Sequence, residues 1–89
     1  MSYQSKDLSV IAYANGFTFW HYATGDVATD VDTSGYFDNA SDMLRVGDLI
    51  LANVDTDGTP ATGFFSVASN ASGVVDVTDM SGIGTSDTD

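Results

Sequence analysis

The sequence predicts an all-β fold, a small antiparallel sandwich or barrel, with one short helix near residues 38–45. Three observations predict this fold: apolar runs of strand length, turn dipeptides between those runs, and the segment GYFDNASDMLRVGDLI (residues 35–50), which is typical of a capped helical turn that leads into a strand. A chain of 89 residues forms one domain. We therefore expect a β-rich domain over residues 8–79, a flexible arm at 1–7 and a flexible acidic tail at 80–89.

The first two strands are expected to form a hairpin. Residues 8–14 (LSVIAYA) are the first apolar run, and Asn15-Gly16 is the favoured two-residue hairpin turn. Residues 17–24 (FTFWHYAT) then return along the first strand.

The returning strand has apolar side chains on both of its faces. Alternation places two sets of side chains on opposite faces, namely Phe17, Phe19 and His21 on one and Thr18, Trp20 and Tyr22 on the other. A strand of this kind is either enclosed in a core or presents one side to a partner. Both readings stay open for the sequence alone.

The middle of the chain is expected to hold a connection, the short helix and a central strand. Residues 25–34 are rich in Asp and Thr, with a short edge strand around Val27–Val31. Asp38 suits a helix N-cap, and Gly47 suits the left-handed residue that ends a helix. Residues 48–54 (DLILANV) are the most apolar run, which indicates a central strand.

The last two strands are expected to form a second hairpin. Residues 64–69 pair with residues 74–79 across the turn NASG, and an exposed loop of about eight residues precedes them. The side chains that we expect in the core are Phe37, Leu44, Ile50, Phe65 and Val77.

The charge is strongly acidic, with thirteen Asp, no Glu, and only Lys6 and Arg45 as cations, for a formal net charge of −11. Nucleic acid and anionic membranes are therefore poor partners, because both are bound by clustered Lys and Arg. The chain has no cysteine, so neither a disulfide nor a thiolate metal site can add to its small core. No membrane-spanning run and no signal peptide is visible, and we expect synthesis in the cytoplasm.

No catalytic pattern is found in the sequence, and we expect no enzyme, no cofactor and no metal. His21 is the only histidine, and a hydrogen-bonded ring in an aromatic strand is its simplest interpretation. The pairs Asp30/Asp32 and Asp55/Asp57 resemble fragments of calcium loops, but they lack the remaining ligands, so turn formation is the alternative that we favour.

Four residues are candidates for contacts between subunits. Tyr13, Trp20 and Tyr22 are aromatic, and aromatic side chains anchor protein interfaces, although a second layer of core would use them equally well. Arg45 lies between Asp42 and Asp48, so we expect it to pair with one of them or with an acid of a neighbouring subunit.

The strings GYFDNASDMLRVGDLILANV and SVASNASGVVDVTD resemble small proteins of the heads of tailed bacteriophages and phage-like particles. In particular they are similar to capsid decoration, head-fibre or spike proteins. The resemblance implies a structural virion protein on the capsid exterior, bound to the major capsid protein and assembled as a homo-oligomer, with a trimer favoured. It also implies that the segment from Met1 to Leu8 acts as an attachment arm.

Two alternatives remain at this point. One is a tail or fibre component of the virion, and the other is an adhesion module that binds carbohydrate or calcium through exposed aromatic rings and Asp side chains. Location and copy number separate them, because a decoration protein is present in nearly as many copies as the capsid protein.

Overall fold

The computed structural model describes residues 3–83, which form one open, mixed β-sheet with short helical turns on one side. The strands are β1 (Leu8–Ala14), β2 (Phe17–Ala23), β3 (Leu49–Val54), β4 (Ala61–Ala71), β5 (Val74–Val77) and β6 (Ser81–Gly82). Their order is β1-β2-β3-β4-β5, and β6 pairs with β4 beside β5. The prediction of a small β-rich domain with one short helix is confirmed, and the sheet is not closed into a barrel.

The sheet departs from the antiparallel expectation at its centre, because β2 and β3 are parallel neighbours. Parallel neighbours cannot be joined by a tight turn, so the chain must return across one face of the sheet. Residues 24–48, which we call the covering segment, make this return. The topology therefore covers one face of the sheet and leaves the other uncovered.

The core lies between the covering segment and the sheet. Val31, Phe37, Ala40 and Leu44 of the covering segment are buried in one cluster with the inward side chains of the strands. These strand side chains include Trp20, Tyr22, Ile50, Ala52, Val54, Phe65, Val67, Val75 and Val77. All five residues predicted for the core are buried. Alternation identified Ile50 and Val77 in their strands, whereas Phe37 and Leu44 were predicted from the apolar stripe of the expected helix.

The helical part of the covering segment differs from the prediction. The α-helix α1 is Ala28–Val31, where a short edge strand was expected, and residues 38–45 begin with a 3₁₀ turn at Asp38–Ala40. Asp38 does not cap this turn, because its carboxylate accepts the amide of Val75 in β5 at 2.9 Å. A contact with a distant strand thus replaces the local cap.

Asp48 joins the covering segment to the sheet and is 0% exposed. Its two carboxylate oxygens accept the amide of Thr18 at 3.0 Å and the indole N–H of Trp20 at 3.1 Å, both in β2. The amide of Arg45 also donates to this carboxylate at 3.1 Å. One buried side chain therefore fixes the start of β2, the end of the covering segment and the entry into β3.

Two further side-chain contacts hold the covering segment on the sheet. The side-chain amide of Asn70 in β4 donates to the carbonyls of Ser41 and Leu44, at 2.8 and 2.6 Å. Carbonyl groups at the end of a helical turn have no backbone partner within that turn. Asn70 therefore serves the last helical turn as a capping group.

Both hairpin turns match their predicted positions. Asn15 and Gly16 have φ of 55° and 85°, and Ser72 and Gly73 have φ of 55° and 80°. Positive φ at both central residues is the signature of the turn type that suits the twist of hairpin strands.

The two ends of the described chain belong to the domain. Tyr3 is buried and stacks on Tyr22 with ring centroids 5.7 Å apart, and residues Ser5–Asp7 form a 3₁₀ turn. The short strand β6 pairs with Gly63 and Phe64 of β4. Met1, Ser2 and residues 84–89, which belong to the predicted arm and tail, lie outside the described residues. Within residues 3–83, no helix is long and apolar enough to cross a membrane.

Replacing the buried aspartate tests its role at this junction. We expect Asp48→Asn to lower the free energy of unfolding by about 2 kcal/mol, because the new side-chain amide places N–H donors against N–H donors. Urea unfolding followed by the fluorescence of Trp20 measures the change. Asp42→Asn, at an exposed acid of the same segment, is the control and should stay within about 0.5 kcal/mol of the wild type. Equal stability of the two variants would contradict this role.

Candidate interaction surface

The uncovered side of the sheet carries an apolar patch at its centre. Phe19 of β2 lies beside Leu49 of β3, and Leu51 of β3 lies opposite Phe64 of β4. The rings of Phe19 and Phe64 are 6.1 Å apart. With Phe17, which is 54% exposed, these side chains form a continuous apolar surface that faces solvent. We call the outward surface of β1–β4 the open face.

A polar row borders this patch on the open face. The Nε2 atom of His21 lies 2.8 Å from the side-chain oxygen of Asn53, and the side-chain amide of Asn53 donates to the hydroxyl of Thr62 at 3.0 Å. The row crosses β2, β3 and β4 in turn. The structure thus places His21 in a hydrogen-bonded row of an aromatic strand, which matches its simplest interpretation from the sequence.

Strand β1 is the edge of the sheet and is exposed along nearly its whole length. Val10 pairs with the buried Trp20, yet Val10 is 58% exposed, so the covering segment does not extend over β1. Ile11 and Tyr13 are exposed as well. The pairing register with β2 shifts between Val10 and Ala12, which leaves Ile11 at a β-bulge. Strand β1 therefore presents apolar side chains that no other part of residues 3–83 covers.

A shallow hollow of about 190 Å³ lies on the open face where β1, β2 and β3 meet. Ala12 and Ala14 of β1 form one wall, and Phe17, Phe19 and Leu49 form the rest. Gly47 is its base, with φ of 93°, and a Cβ atom there would lie 2.7 Å from the ring of Phe17. Glycine at this position lets the ring of Phe17 lie against the backbone, and the small alanines leave the hollow open.

The structure separates the predicted contact residues into two groups. Trp20 and Tyr22 are buried in the core of this chain, where they form the second core layer that was the alternative interpretation. Tyr13 is 61% exposed on β1. The side of β2 that faces solvent is the one with Phe17 and Phe19, so any contact through this strand uses those residues and not Trp20 or Tyr22.

Arg45 does not form the ion pair that was expected within this chain. Among the described residues, the ion pair found joins Lys6 and Asp7 at 3.2 Å. The contact between Arg45 and Asp48 is made by the backbone amide of Arg45, and Arg45 is exposed. Asp48 thus binds the backbone of Arg45 and not its guanidinium.

The aromatic side chains of the covering segment pack in the core or against it. The hydroxyl of Tyr36 donates to the buried carboxylate of Asp26 at 2.6 Å and lies 2.9 Å from the hydroxyl of Tyr22. Burial, together with these two hydrogen bonds, raises the pKa of Tyr36 well above its usual value. A groove of about 570 Å³ passes Tyr3, Tyr36 and Asp38, but both tyrosine hydroxyls are turned away from solvent.

Asp55 and Asp57 are loop residues, whereas Asp30 lies in α1 and Asp32 directly follows it. Asp55 has φ of 52° and accepts the amide of Thr59 at 3.2 Å, which is the turn chemistry that the sequence favoured. Partial burial, followed by the negative charges of Asp79, Asp76 and Asp30, raises the pKa of Asp32. Over residues 3–83, no group of three or more His or Asp side chains is arranged to hold a metal ion.

Comparisons of the chain with protein-family models, with curated proteins and with solved structures give no match. The description of the surface therefore rests on this chain alone.

The sequence predicted only some of the residues of the open face. The alternation of β2 and β3 did place Phe17, Phe19, Leu49 and Leu51 opposite the core residues. Phe64 was missed as a member of the patch, because its closeness to Phe19 depends on the parallel pairing of β2 with β3. The useful signal is the absence of any Asp, Lys or Arg from β1–β4 in a chain with thirteen acids.

Removing one charge from the acidic group around Asp32 should stabilise the fold. Because the pKa of Asp32 is raised in the folded protein, its carboxyl group ionises at lower pH in the unfolded chain than in the folded one. The wild type therefore loses stability as the pH rises from the unfolded-state pKa of Asp32 to its folded-state pKa. We expect Asp32→Asn to raise the free energy of unfolding at pH 7 by about 0.5 kcal/mol, an effect that added salt reduces and that disappears at low pH. Thermal melts over pH and salt measure it. Asp42→Asn is the control, and a lower midpoint for Asp32→Asn would contradict the repulsion.

Proposed function

We propose that this protein is a structural, non-catalytic virion protein that decorates the outer surface of a phage capsid. The single observation that carries the proposal is β1, an uncharged and apolar edge strand that is exposed in an otherwise acidic molecule. Large exposed apolar surface on a small domain marks a binding site for another protein. The resemblance of GYFDNASDMLRVGDLILANV to small head proteins of tailed phages supports a capsid as that partner.

The distribution of charge supports a fixed orientation on the shell. Six of the thirteen acids belong to the covering segment, whereas β1–β4 contain none. Desolvating a carboxylate is costly, so docking through β1 leaves the exposed acids of the covering segment, such as Asp30 and Asp42, in water. Under this proposal the uncharged strand contacts the major capsid protein, and the covering segment faces solvent.

The contact energy of one copy can be small. A capsid offers many equivalent positions, so an oligomer that contacts several of them at once binds more tightly than one chain does. Val10, Ile11 and Tyr13 would supply these contacts. The part of the expected attachment arm that the structure describes is packed on the domain through the buried Tyr3, so these contacts do not depend on a free arm.

Copy number on purified particles tests the proposal. We expect the chain to co-sediment with filled heads of the phage or phage-like element that encodes it, at a ratio to the major capsid protein of one or a simple fraction. Quantitative mass spectrometry of the purified heads measures this ratio. A few copies per particle would instead indicate a tail or fibre component, and absence from particles together with binding to a glycan array would indicate an adhesion module. Either result would overturn the proposal.

A matched pair of variants tests whether β1 makes the contact. Val10 and Val46 have the same side chain and nearly the same exposure, 58% and 57%, but Val46 lies in the covering segment. Lysine on an edge strand prevents pairing without disturbing the fold. We expect Val10→Lys to weaken binding to phage heads that lack this protein by about 10-fold or more, as loss of one well-placed apolar contact does. Val46→Lys should bind as the wild type, and equal binding by both variants would exclude β1 as the contact.

A further inference from the structure

We infer that the open face binds further copies of this chain, with each copy placing the same face against a shared symmetry axis. The inference concerns a different surface from the exposed side chains of β1. It rests on the proposed function only in assigning the protein to an assembly.

Charge identifies a copy of this chain as a suitable occupant. Each copy has a formal net charge of −11, so most approaches between two copies bring acids together. The open face of β1–β4 carries no Asp, Lys or Arg. Two sheets that pack face to face lie about 10 Å apart, and the acid-bearing covering segments are then on the outer sides, beyond the screening length of about 8 Å. The open face is thus a surface through which two copies can meet without bringing the acids of their covering segments together.

The remaining residues of this sequence are poor occupants of the open face. Outside residues 3–83 the sequence contains Met1, Ser2 and GTSDTD, in which Met1 is the one large apolar side chain. Such a segment cannot cover the apolar patch, because burying the patch requires several apolar side chains on the opposing surface. The patch consists of Phe17, Phe19, Leu49, Leu51 and Phe64.

The arrangement of the open face matches the usual anatomy of a protein interface. The apolar patch of Phe19, Leu49 and Phe64 is bordered on one side by the hydrogen-bonded row of His21, Asn53 and Thr62. Interfaces typically have a core without charges inside a polar rim. The hollow of about 190 Å³ beside Leu49 can accept a side chain of the opposing copy.

The flat area of the open face is about half of what such an interface buries on each partner. Four strands about 4.8 Å apart and about 20 Å long give a flat footprint of about 400 Å². An interface of standard size buries about 800 Å² on each partner, which is about 15% of the 5221 Å² surface of this molecule. The phenylalanine and leucine side chains project from the sheet and add accessible surface to this flat area. The open face therefore provides a large part of the required area.

Two closed arrangements bring the same face of each copy together. Two copies would form a two-layered sandwich, and three copies would form a triangular prism with the three open faces inside. Both arrangements bury Leu49 and Leu51 at the axis, and the mass in solution, as a multiple of 9.3 kDa, distinguishes them.

The test is sedimentation equilibrium of the full chain and of two variants over a concentration series. Leu49 lies on the open face and Met43 on the covering segment, with exposures of 38% and 45%. We expect the wild type to be a dimer or trimer. Leu49→Thr keeps a residue that favours strands and should raise the dissociation constant about 10-fold or more, because a buried leucine side chain is lost from each copy. Met43→Thr should leave the dissociation constant unchanged.

Several outcomes would overturn the inference. A wild type that stays monomeric at every concentration excludes self-association, and an oligomer that Leu49→Thr and Met43→Thr affect equally excludes the open face as its interface. If Leu49→Thr fails to fold, Phe17→Ser, at the exposed margin of the same patch, replaces it, and circular dichroism checks the fold of each variant. Unchanged assembly of Phe17→Ser would then count against the open face.

The result can be separated from that of the proposed function. A monomeric wild type that still binds phage heads overturns this inference and leaves the decoration proposal intact. An oligomer that depends on Leu49 but does not bind heads supports this inference and overturns decoration.

Discussion

The buried carboxylate of Asp48 is the interaction on which the rest of the structure depends. It accepts N–H groups from Thr18, Trp20 and Arg45, and its backbone carbonyl accepts the amide of Val67 in β4. These partners belong to β2, the covering segment and β4. A chain of this size has a small core, so a charged group that satisfies several buried donors at once is a strong constraint on how the layers meet.

The parallel pairing of β2 and β3 explains why the molecule has two unlike sides. The return from the end of β2 to the start of β3 must cross one face, and it brings Phe37 and Leu44 onto Trp20, Tyr22 and Ile50. Apart from Gly47, which lines the hollow beside Phe17, the covering segment leaves the opposite face open, and apolar side chains there stay in solvent. Topology, and not composition alone, therefore creates the candidate interaction surface, and the acids follow the same division because they lie in loops and in the covering segment.

Local patterns predicted the parts of the fold that depend on neighbours in the sequence. Asn15-Gly16 set the first hairpin, and alternation along β3 assigned Ile50 to the core and Leu51 to the opposite side. The parallel pairing, the burial of Asp48 and the position of α1 could not be predicted in this way. They depend on contacts such as that between Asp48 and Thr18, which are thirty residues apart in the chain. For the same reason Trp20 and Tyr22 were candidates for both the surface and the core until the covering segment was placed.

The irregular register at Ile11 has a consequence for the behaviour of free molecules. An uncharged edge strand with regular backbone spacing is a template on which strands of other molecules add without limit, and such growth ends in fibrils. A bulge interrupts the even row of amides and carbonyls and increases the local twist, so an incoming strand cannot align along the whole edge. The distortion at Ile11 thus allows β1 to keep its apolar side chains while opposing amyloid-like stacking of free molecules.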